Sequence, residues 1–411
     1  MTNTTSATKT ESETPEPRDY AAEADAWFAE NVPADPGFML PLTFMEVGED
    51  RQFEFLRAWQ RKVYEAGYLG AAWPKDYGGR GLTEAHQKAA TRAMRKHRGP
   101  ILLNAIGLNW AGPLILDIGS EEQKRAYLKP ILSAEHIWCQ GFSEPEHGSD
   151  LGNAQLKAAR DGDDYVLNGS KIWTTQGNYA DYMILLARTD LAAENKYAGL
   201  SFFLSPMTVP GITTRKLKKL TGEYGFTQTF FEDARIGADC LIGGEGNGWK
   251  IAMRTLEYER GARGGQAGGY VSIPPDLMEI VDLARSASRD GAPALSDPVL
   301  KDRMVGYLMD MHALSLSSER KRIAPLVEDH PMALPLMGKL EFSELYRELS
   351  EFALTLLGPK AAYYVGEPNA ADDGWWARSY LNAFSATIGG GTSQIQRNII
   401  GEHVLGLPKT R

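Results

Sequence analysis

The spacing of apolar residues changes twice along this 411-residue chain, and that double change limits the fold more than any single motif. From Tyr20 to about Ser133 they recur at helical intervals, as in Phe53, Leu56, Trp59 and Val63. The loop AAWPKDYGGRG (Ala71–Gly81) and Gly-Pro steps at Gly99 and Gly112 are expected to interrupt this run. Near His136 the period switches. ARDGDDYVLNGSKIWTT (Ala159–Thr175) carries an Asp-Gly turn between alternating segments, a hairpin signal, and DYMILLAR, GLSFFLS and QTFFEDARI follow as further short strands. From Trp249 helical spacing returns, in segments at 249–272, 276–289, 298–328, 334–358 and 393–405. The last is opened by a Thr392-Ser393 cap. This order predicts an α+β multidomain protein: a helical domain over 19–135, a β domain over 136–245 and a helical bundle over 246–411. Residues 1–18 have hardly an apolar side chain to offset their ordering entropy and are predicted to be a disordered tail.

Several function classes are disfavoured. A net charge of −9 without a basic stripe argues against a nucleic-acid partner, and the densest cationic stretch, Arg215–Lys219, reads as a solvated strand edge. Two cysteines, Cys139 and Cys240, cannot build a disulfide framework and point to a reducing compartment. With no signal-peptide pattern and no 18-residue apolar run, the expectation is a cytoplasmic protein without a membrane span. Dinucleotide, P-loop and nucleophile-elbow glycine motifs are absent, as is any pair of histidines at metal-binding spacing.

Two local features carry chemistry. In GFSEPEHGSD (Gly141–Asp150) and KIWTTQGNYAD (Lys171–Asp181), hydroxyls, glycines and a tryptophan cluster in loops beside strands. Backbone amides and hydroxyls there can hold a phosphate or a flat ring, although Ser, Asp and Gly favour turns in any case. In WKIAMRTLEYERGARGGQAGGY (Trp249–Tyr270), Trp249, Ala252, Met253 and Leu256 form one helical face that Glu259 continues. A carboxylate on an apolar stripe is either desolvated, with a raised pKa suited to a base, or paired, here with Arg263 at i+4. Five glycines between Gly261 and Gly269 work against the helix unless something bulky needs the space.

CQGFSEPEHGSDL (Cys139–Leu151), LNGSKIWTTQGNYADYMILLARTD (Leu167–Asp190), FFEDARI (Phe230–Ile236), GEGNGW (Gly244–Trp249) and GTSQIQRNIIGEHVLGLP (Gly391–Pro408) together resemble the acyl-CoA dehydrogenase family. The matching segments keep the family's order over about residues 40–408. The resemblance implies a helical domain, a middle β-barrel and a C-terminal four-helix bundle, with FAD between barrel and bundle and partly held by a neighbouring subunit. It implies FAD or substrate contacts at Phe142, Ser143 and Ser149, packing of Trp173 and Thr175 on the flavin ring, and cofactor contacts at Thr392 and Gln394. An acyl-CoA substrate, an electron-transfer flavoprotein as electron acceptor, and a dimer or tetramer of one or two chain types follow from the same likeness.

Departures from the family pattern are as informative. Many members carry a glutamate before the Gly-Thr of the C-terminal motif, and it removes the α-proton of the thioester; here that position is Gly390. A subset places the base on the first bundle helix directly before an arginine, which here is Glu259 followed by Arg260. The resemblance therefore implies Glu259 as base, with Arg260 beside the substrate and the Gly390 N–H retained as a donor to the thioester oxygen. The run that usually reaches the partner's FAD reads ARSASRDGAP, leaving Arg285 as a partial match, and the following loop TLLGPKA places Thr355 where a glutamine is usual, ahead of Gly358. The glycines around Gly264 and Gly268, with Gly390, lead to the expectation of a bulky or branched acyl group. Loss of the usual glutamate also leaves open a variant chemistry, such as sulfinate desulfination or nitroalkane oxidation, or a non-catalytic subunit of a two-chain dehydrogenase.

Overall fold

A computed structural model describes residues 16–270, 277–289, 291–320, 323–326, 328 and 330–409. The expected tail over residues 1–15, and parts of the expected helices at 271–276, 321–322, 327 and 329, lie outside these. The first helix, α1 (Pro17–Asn31), opens inside the stretch expected to be a tail. A proline in the first turn costs nothing there, because its missing N–H would have had no helical partner. α2 (Asp50–Glu65), α3 (Glu84–Lys96), α4 (Gly112–Ile118) and α5 (Glu121–Leu132) complete the N-terminal helices. The Gly-Pro step at Gly112 does not interrupt the chain: a π-helical segment, Gly107–Ala111, runs straight into α4 with Pro113 in the first turn. α5 starts at a reciprocal cap between Ser120 and Gln123.

The β domain is one curled seven-stranded sheet. Its strands are β1 (Trp138–Gly141), β2 (Lys157–Asp161), β3 (Asp164–Thr175), β4 (Tyr182–Arg188), β5 (Leu200–Pro206), β6 (Ile212–Leu217) and β7 (Phe226–Gly237). The order is β1-β4-β2-β3-β7-β6, with β5 paired to β4. The Asp-Gly turn joins β2 to β3 as expected, with Asp161 opposite Asp164. β4 and β5 are buried on both faces because the sheet separates two cores. Ile184, Leu186, Phe202 and Leu204 face the N-terminal helices, whereas Met183, Leu185, Ala187 and Phe203 face the concave interior.

Among the described residues six α-helices follow: α6 (Gly248–Glu259), α7 (Leu277–Ser286), α8 (Pro298–Arg320), α9 (Ala333–Leu357), α10 (Trp375–Ala386) and α11 (Ser393–Ile399). α7 to α10 enclose their own core around Ile280, Ala284, Leu300, Leu349, Phe352 and Trp376. α6 instead joins the core shared by the sheet and the N-terminal helices through Ile251, Ala252 and Tyr258. A buried ionic cluster ties the bundle back to the rest. Arg378 Nη2 reaches Glu46 at 2.7 Å and its Nε reaches Glu223 at 3.2 Å. Lys219 joins this cluster beside Asn382, which corrects the reading of Arg215–Lys219: β6 is an exposed edge, but Lys219, two residues past its end, is tucked against α10.

The helix expected over 249–272 stops at Glu259. Gly261 (φ +65°) and Gly265 (φ +93°) adopt left-handed backbone that ends helical geometry, and the loop they form lies across the N-terminal domain. Gly70 N donates to Ala267 O at 3.1 Å, Leu102 N to Tyr270 O at 2.8 Å, and the Trp73 indole to Gly265 O at 2.7 Å. A Cβ on Gly264 would meet Glu84 and one on Gly268 would meet Leu69 and Leu102, so both glycines seat this loop against the N-terminal helices.

Candidate active site

α6 buries Ile251, Ala252, Thr255 and Tyr258, while Trp249, Met253 and Leu256 line the partly buried rim of that stripe. Because the helix ends at Glu259, the i+4 geometry that would pair Glu259 with Arg263 does not exist. Arg263 turns back to Glu257 instead. Glu259 faces the last glycine turn of the chain, its Oε1 lying 2.9 Å from the point a Cβ on Gly390 would occupy. Gln140, on β1, hydrogen-bonds to it, and Arg260 and Lys339, the latter on α9, are the nearby cations. Burial nevertheless dominates and pushes the carboxyl above the usual range for a glutamate, against the pull of Arg260, Gln140 and Lys339.

Gly390 (φ +66°) and Gly391 (φ +93°) both sit in left-handed backbone, which a side chain would strain. Their carbonyls are held from three elements: Gln396 Nε2 donates to Gly390 O at 2.7 Å, Arg260 Nη2 to the same oxygen at 3.4 Å, and Lys339 Nζ to Gly391 O at 2.6 Å. Thr392 caps α11 by accepting from Ile395 N at 3.2 Å, whereas Gln394 points outward and is exposed. A glutamate at 390, as in many relatives of the resembled family, would need the volume that Glu259 now occupies. A side chain at 390 would have to push the Glu259 carboxylate aside.

The loop after β1 is built on a buried ion pair. Glu144 accepts from Lys171 Nζ at 2.8 Å, from Gln155 N at 2.6 Å and from Leu156 N at 2.8 Å. Burial opposes the charge, but Lys171 and the two backbone donors together hold the Glu144 carboxyl below its ordinary range. Phe142 O accepts from the same ammonium, the Phe142 ring packs edge-on against Phe202, and Ser143 O accepts from Ile172 N at 2.9 Å. Ser149 is exposed at the loop's outer end. Glu259 is thereby connected, through Gln140 and the loop Gly141–Ser143, to the strand carrying Trp173 and Thr175.

Trp173 is the least ordinary residue on that strand. It has φ +59°, it lies in a β3–β7 register shift between Lys171 and Thr174, and its ring is 58% exposed beside Phe226. Left-handed backbone at a bulky residue persists only where its surroundings impose it. An indole held out in this way, with Thr175 buried behind it, fits a planar ring system. The buried Gln396 Oε1 and Gln140 Oε1 have no protein partner among the described residues, which fits a polar ligand near the glycine turn.

Arg285, Thr355 and Gly358 lie elsewhere in the chain. Arg285 is exposed and paired with Asp282, Thr355 donates to Glu351 O, and Gly358 ends α9. Thr355 is 16 residues along α9 from Lys339, about 24 Å at the helical rise. The variant chemistries would need cations for an acidic substrate; Arg80 and Arg95 lie over the rings of Tyr20 and Tyr270, and Arg98 pairs with Glu279. Sequence reasoning missed Lys339, Gln396 and Gln140. Of these only Lys339 carried a signal, as the lone cation in the apolar run ALPLMGKL.

This order of helical domain, curled sheet and helical bundle is that of a three-domain acyl-thioester oxidoreductase. Residues 41–135 match the acyl-CoA dehydrogenase N-terminal domain, 139–234 the middle domain and 246–405 the C-terminal domain. The chain is 34% identical to the acyl-CoA dehydrogenase IpdE1 of Mycobacterium tuberculosis, over 95% of this chain and 98% of that protein. It is 33% identical to the human mitochondrial short-chain specific acyl-CoA dehydrogenase, over 87% of this chain and 84% of that protein. Among solved structures it is similar to the Tcur3481-Tcur3483 steroid acyl-CoA dehydrogenase (TM-score 0.80, 26% identity, 96% and 98% of the two chains). It also resembles the ChsE4-ChsE5 complex of M. tuberculosis (TM-score 0.75, 26% identity, 98% and 100%). The chain belongs to the acyl-CoA dehydrogenase family.

Proposed function

We propose that this acyl-CoA dehydrogenase uses FAD and takes the α-proton of its acyl thioester with Glu259. The observation that carries the reading is the 2.9 Å approach of Glu259 Oε1 to the Cβ position of Gly390. A carboxylate offered from the alternative helix, beside the position where many family members carry theirs, supports the reading. A raised pKa makes Glu259 a stronger base than an exposed glutamate, and enclosure by an acyl-CoA would dry the site further. The Gly390 N–H is the backbone donor for the charge that develops on the thioester oxygen. FAD would be held by Trp173, Thr175, Phe142, Ser143, Thr392 and Gln394, and when bound would supply the two-electron acceptance that yields a trans-2-enoyl thioester. Electrons would then leave to an electron-transfer flavoprotein. Ser149 and Arg260 would contact the acyl-CoA.

A bulky, ring-containing acyl group is the substrate class we favour. It rests on the missing side chain at Gly390 and on likeness to a steroid enzyme, since Gly264 and Gly268 leave no space. Thr355 and Gly358 stand at the far end of α9 from Lys339, and Arg285 is exposed and paired with Asp282, which supports an oligomer in which they serve a neighbouring site. The relative described as a ChsE4-ChsE5 complex makes a second chain type a natural candidate for that neighbour. Anaerobic titration of the purified flavoprotein with a panel of acyl-CoAs, following bleaching of visible absorbance in wild type and Glu259→Gln, tests the reading. Bleaching undiminished by the Gln substitution would remove Glu259 as the base.

A further inference from the structure

Three side chains from three separate helical segments converge on two consecutive carbonyls beside Glu259. Gln396 on α11 and Arg260 at the end of α6 hold Gly390 O, and Lys339 on α9 holds Gly391 O. Such an arrangement is costly. Lys339 is half-buried, and burial together with the neighbouring Arg260 pushes its ammonium toward the neutral form, opposed by Glu259 and Glu344. Arg260 is likewise pushed down by burial, and its Nε has no protein partner among the described residues. A turn that needed only a donor could use a neutral amide, as it does at Gln396.

The cation's use follows from peptide geometry. Within one planar trans peptide the C=O and the following N–H point in opposite directions. Fixing Gly390 O and Gly391 O therefore fixes the N–H groups of Gly391 and Thr392 on the side away from the three clamping side chains. The same contacts hold the left-handed backbone of Gly390, whose own N–H is the donor invoked for the thioester oxygen. Glycine has the most backbone freedom to lose, so three in a row would leave that donor poorly aimed unless neighbours held it. A charge-assisted bond at 2.6 Å is the strongest of the three contacts.

We propose that Lys339 is a positioning residue for the reaction: its ammonium fixes the Gly390–Gly391 turn that presents backbone donors and stands as a second cation beside Glu259. This rests on the reading of Glu259 as the base, and its failure can be told apart from failure of that reading. The groups facing Glu259 are Arg260 from its own helix, Gln140 from β1 and Lys339 from α9. Of the two cations, only Lys339 acts from a different segment of the chain.

The test compares Lys339→Met and Lys339→Arg with wild type in the flavin-loaded full chain, using octanoyl-CoA and a saturated ring-bearing acyl-CoA as probes. In Lys339→Met, kcat falls about tenfold with KM changed less, a smaller loss than the ~10²–10³ of deleting an oxyanion donor outright. The acidic limb of kcat/KM moves to higher pH, because a cation that favours the Glu259 carboxylate has gone. Lys339→Arg restores the limb. Independently of turnover, amide hydrogen exchange measured by mass spectrometry quickens over residues 387–396 in Lys339→Met while β3 and β7 keep wild-type protection. Wild-type exchange over 387–396 in Lys339→Met overturns the proposal, whether or not either probe turns over. An unmoved acidic limb in an active Lys339→Met also overturns it. If Glu259→Gln keeps full activity while Lys339→Met loosens the turn, the base assignment falls and the positioning role of Lys339 stands.

Discussion

Glu144 and Glu259 are carboxylates withdrawn from water beside cations, yet their protons are held in opposite directions. Glu144 receives an ammonium and two backbone N–H groups within 2.8 Å, and its carboxyl is held below the ordinary range despite burial. Glu259 has one amide from Gln140, and two cations that spend their hydrogen bonds on the carbonyls of the neighbouring turn. Burial wins there, and the carboxyl is pushed up. What separates a structural carboxylate from a basic one in this protein is therefore where the neighbouring donors are committed: at Glu144 they outweigh the burial that at Glu259 prevails.

The strongest way to break the comparison is to neutralise each carboxylate in turn. Glu259→Gln keeps shape and removes the base, so kcat is expected to fall by ~10²–10⁴, the usual range for general-base loss, with a folded chain that still binds acyl-CoA. Steady-state kinetics with an artificial electron acceptor reads this directly. Glu144→Gln leaves the buried Lys171 without its counter-charge, and breaking a buried pair from one side costs about 3–5 kcal/mol. Urea unfolding should show that loss. Swapped outcomes, with Glu144→Gln costing activity in a chain of full stability, would collapse the distinction.

A smaller effect is expected at Gly390. Gly390→Ala must place a Cβ in left-handed backbone, at a cost above about 1 kcal/mol. It must also displace the Glu259 carboxylate, whose Oε1 is 2.9 Å from that Cβ. The carboxylate is the free end of a flexible side chain and can swing aside, so the chain should fold. Displacing a base by even an ångström is costly, and kcat is expected to drop on the order of tenfold to a hundredfold. A variant as active as wild type would mean that Glu259 does not work from where it stands.

The contrast also marks what could be read from sequence. Periodicity carried the order of helices, strands and helices because the two repeats, near 3.6 and 2, depend only on local geometry. It carried α6 past its true end because the stop is imposed by left-handed glycines and by bonds to Gly70, Trp73 and Leu102, between 168 and 197 residues upstream. Glu259 was legible as a carboxylate on an apolar stripe, and the resemblance then turned Gly390 from a loop residue into a vacated base position. Gln140, Lys339 and Gln396 are ordinary residues on a strand and two helices, and only the tertiary fold brings them to one turn. Glu144 lay within the quoted loop, but its partner Lys171 is 27 residues away on another element, so its hydroxyl neighbours drew notice first.

The finest test of the comparison is the sign of its pH dependence. The folded-state pKa of Glu259 lies above its value of 4.5 in the unfolded chain, so the folded protein binds that proton more tightly. The charged form therefore costs stability at every pH above the folded pKa, and the cost fades as pH falls toward 4.5. Glu259→Gln removes it, so the variant should be the more stable protein at neutral pH and lose that advantage on acidification. Glu144 behaves oppositely: its folded pKa is depressed, so its contribution is complete above 4.5 and is lost as pH falls through the folded value. Urea midpoints of wild type, Glu259→Gln and Glu144→Gln, measured from neutral pH to below 4.5, should give one difference that shrinks from stabilising and one that shrinks from destabilising. Two differences of the same sign at neutral pH would mean that Glu259 is as fully partnered as Glu144, and it would then have no claim to be the base.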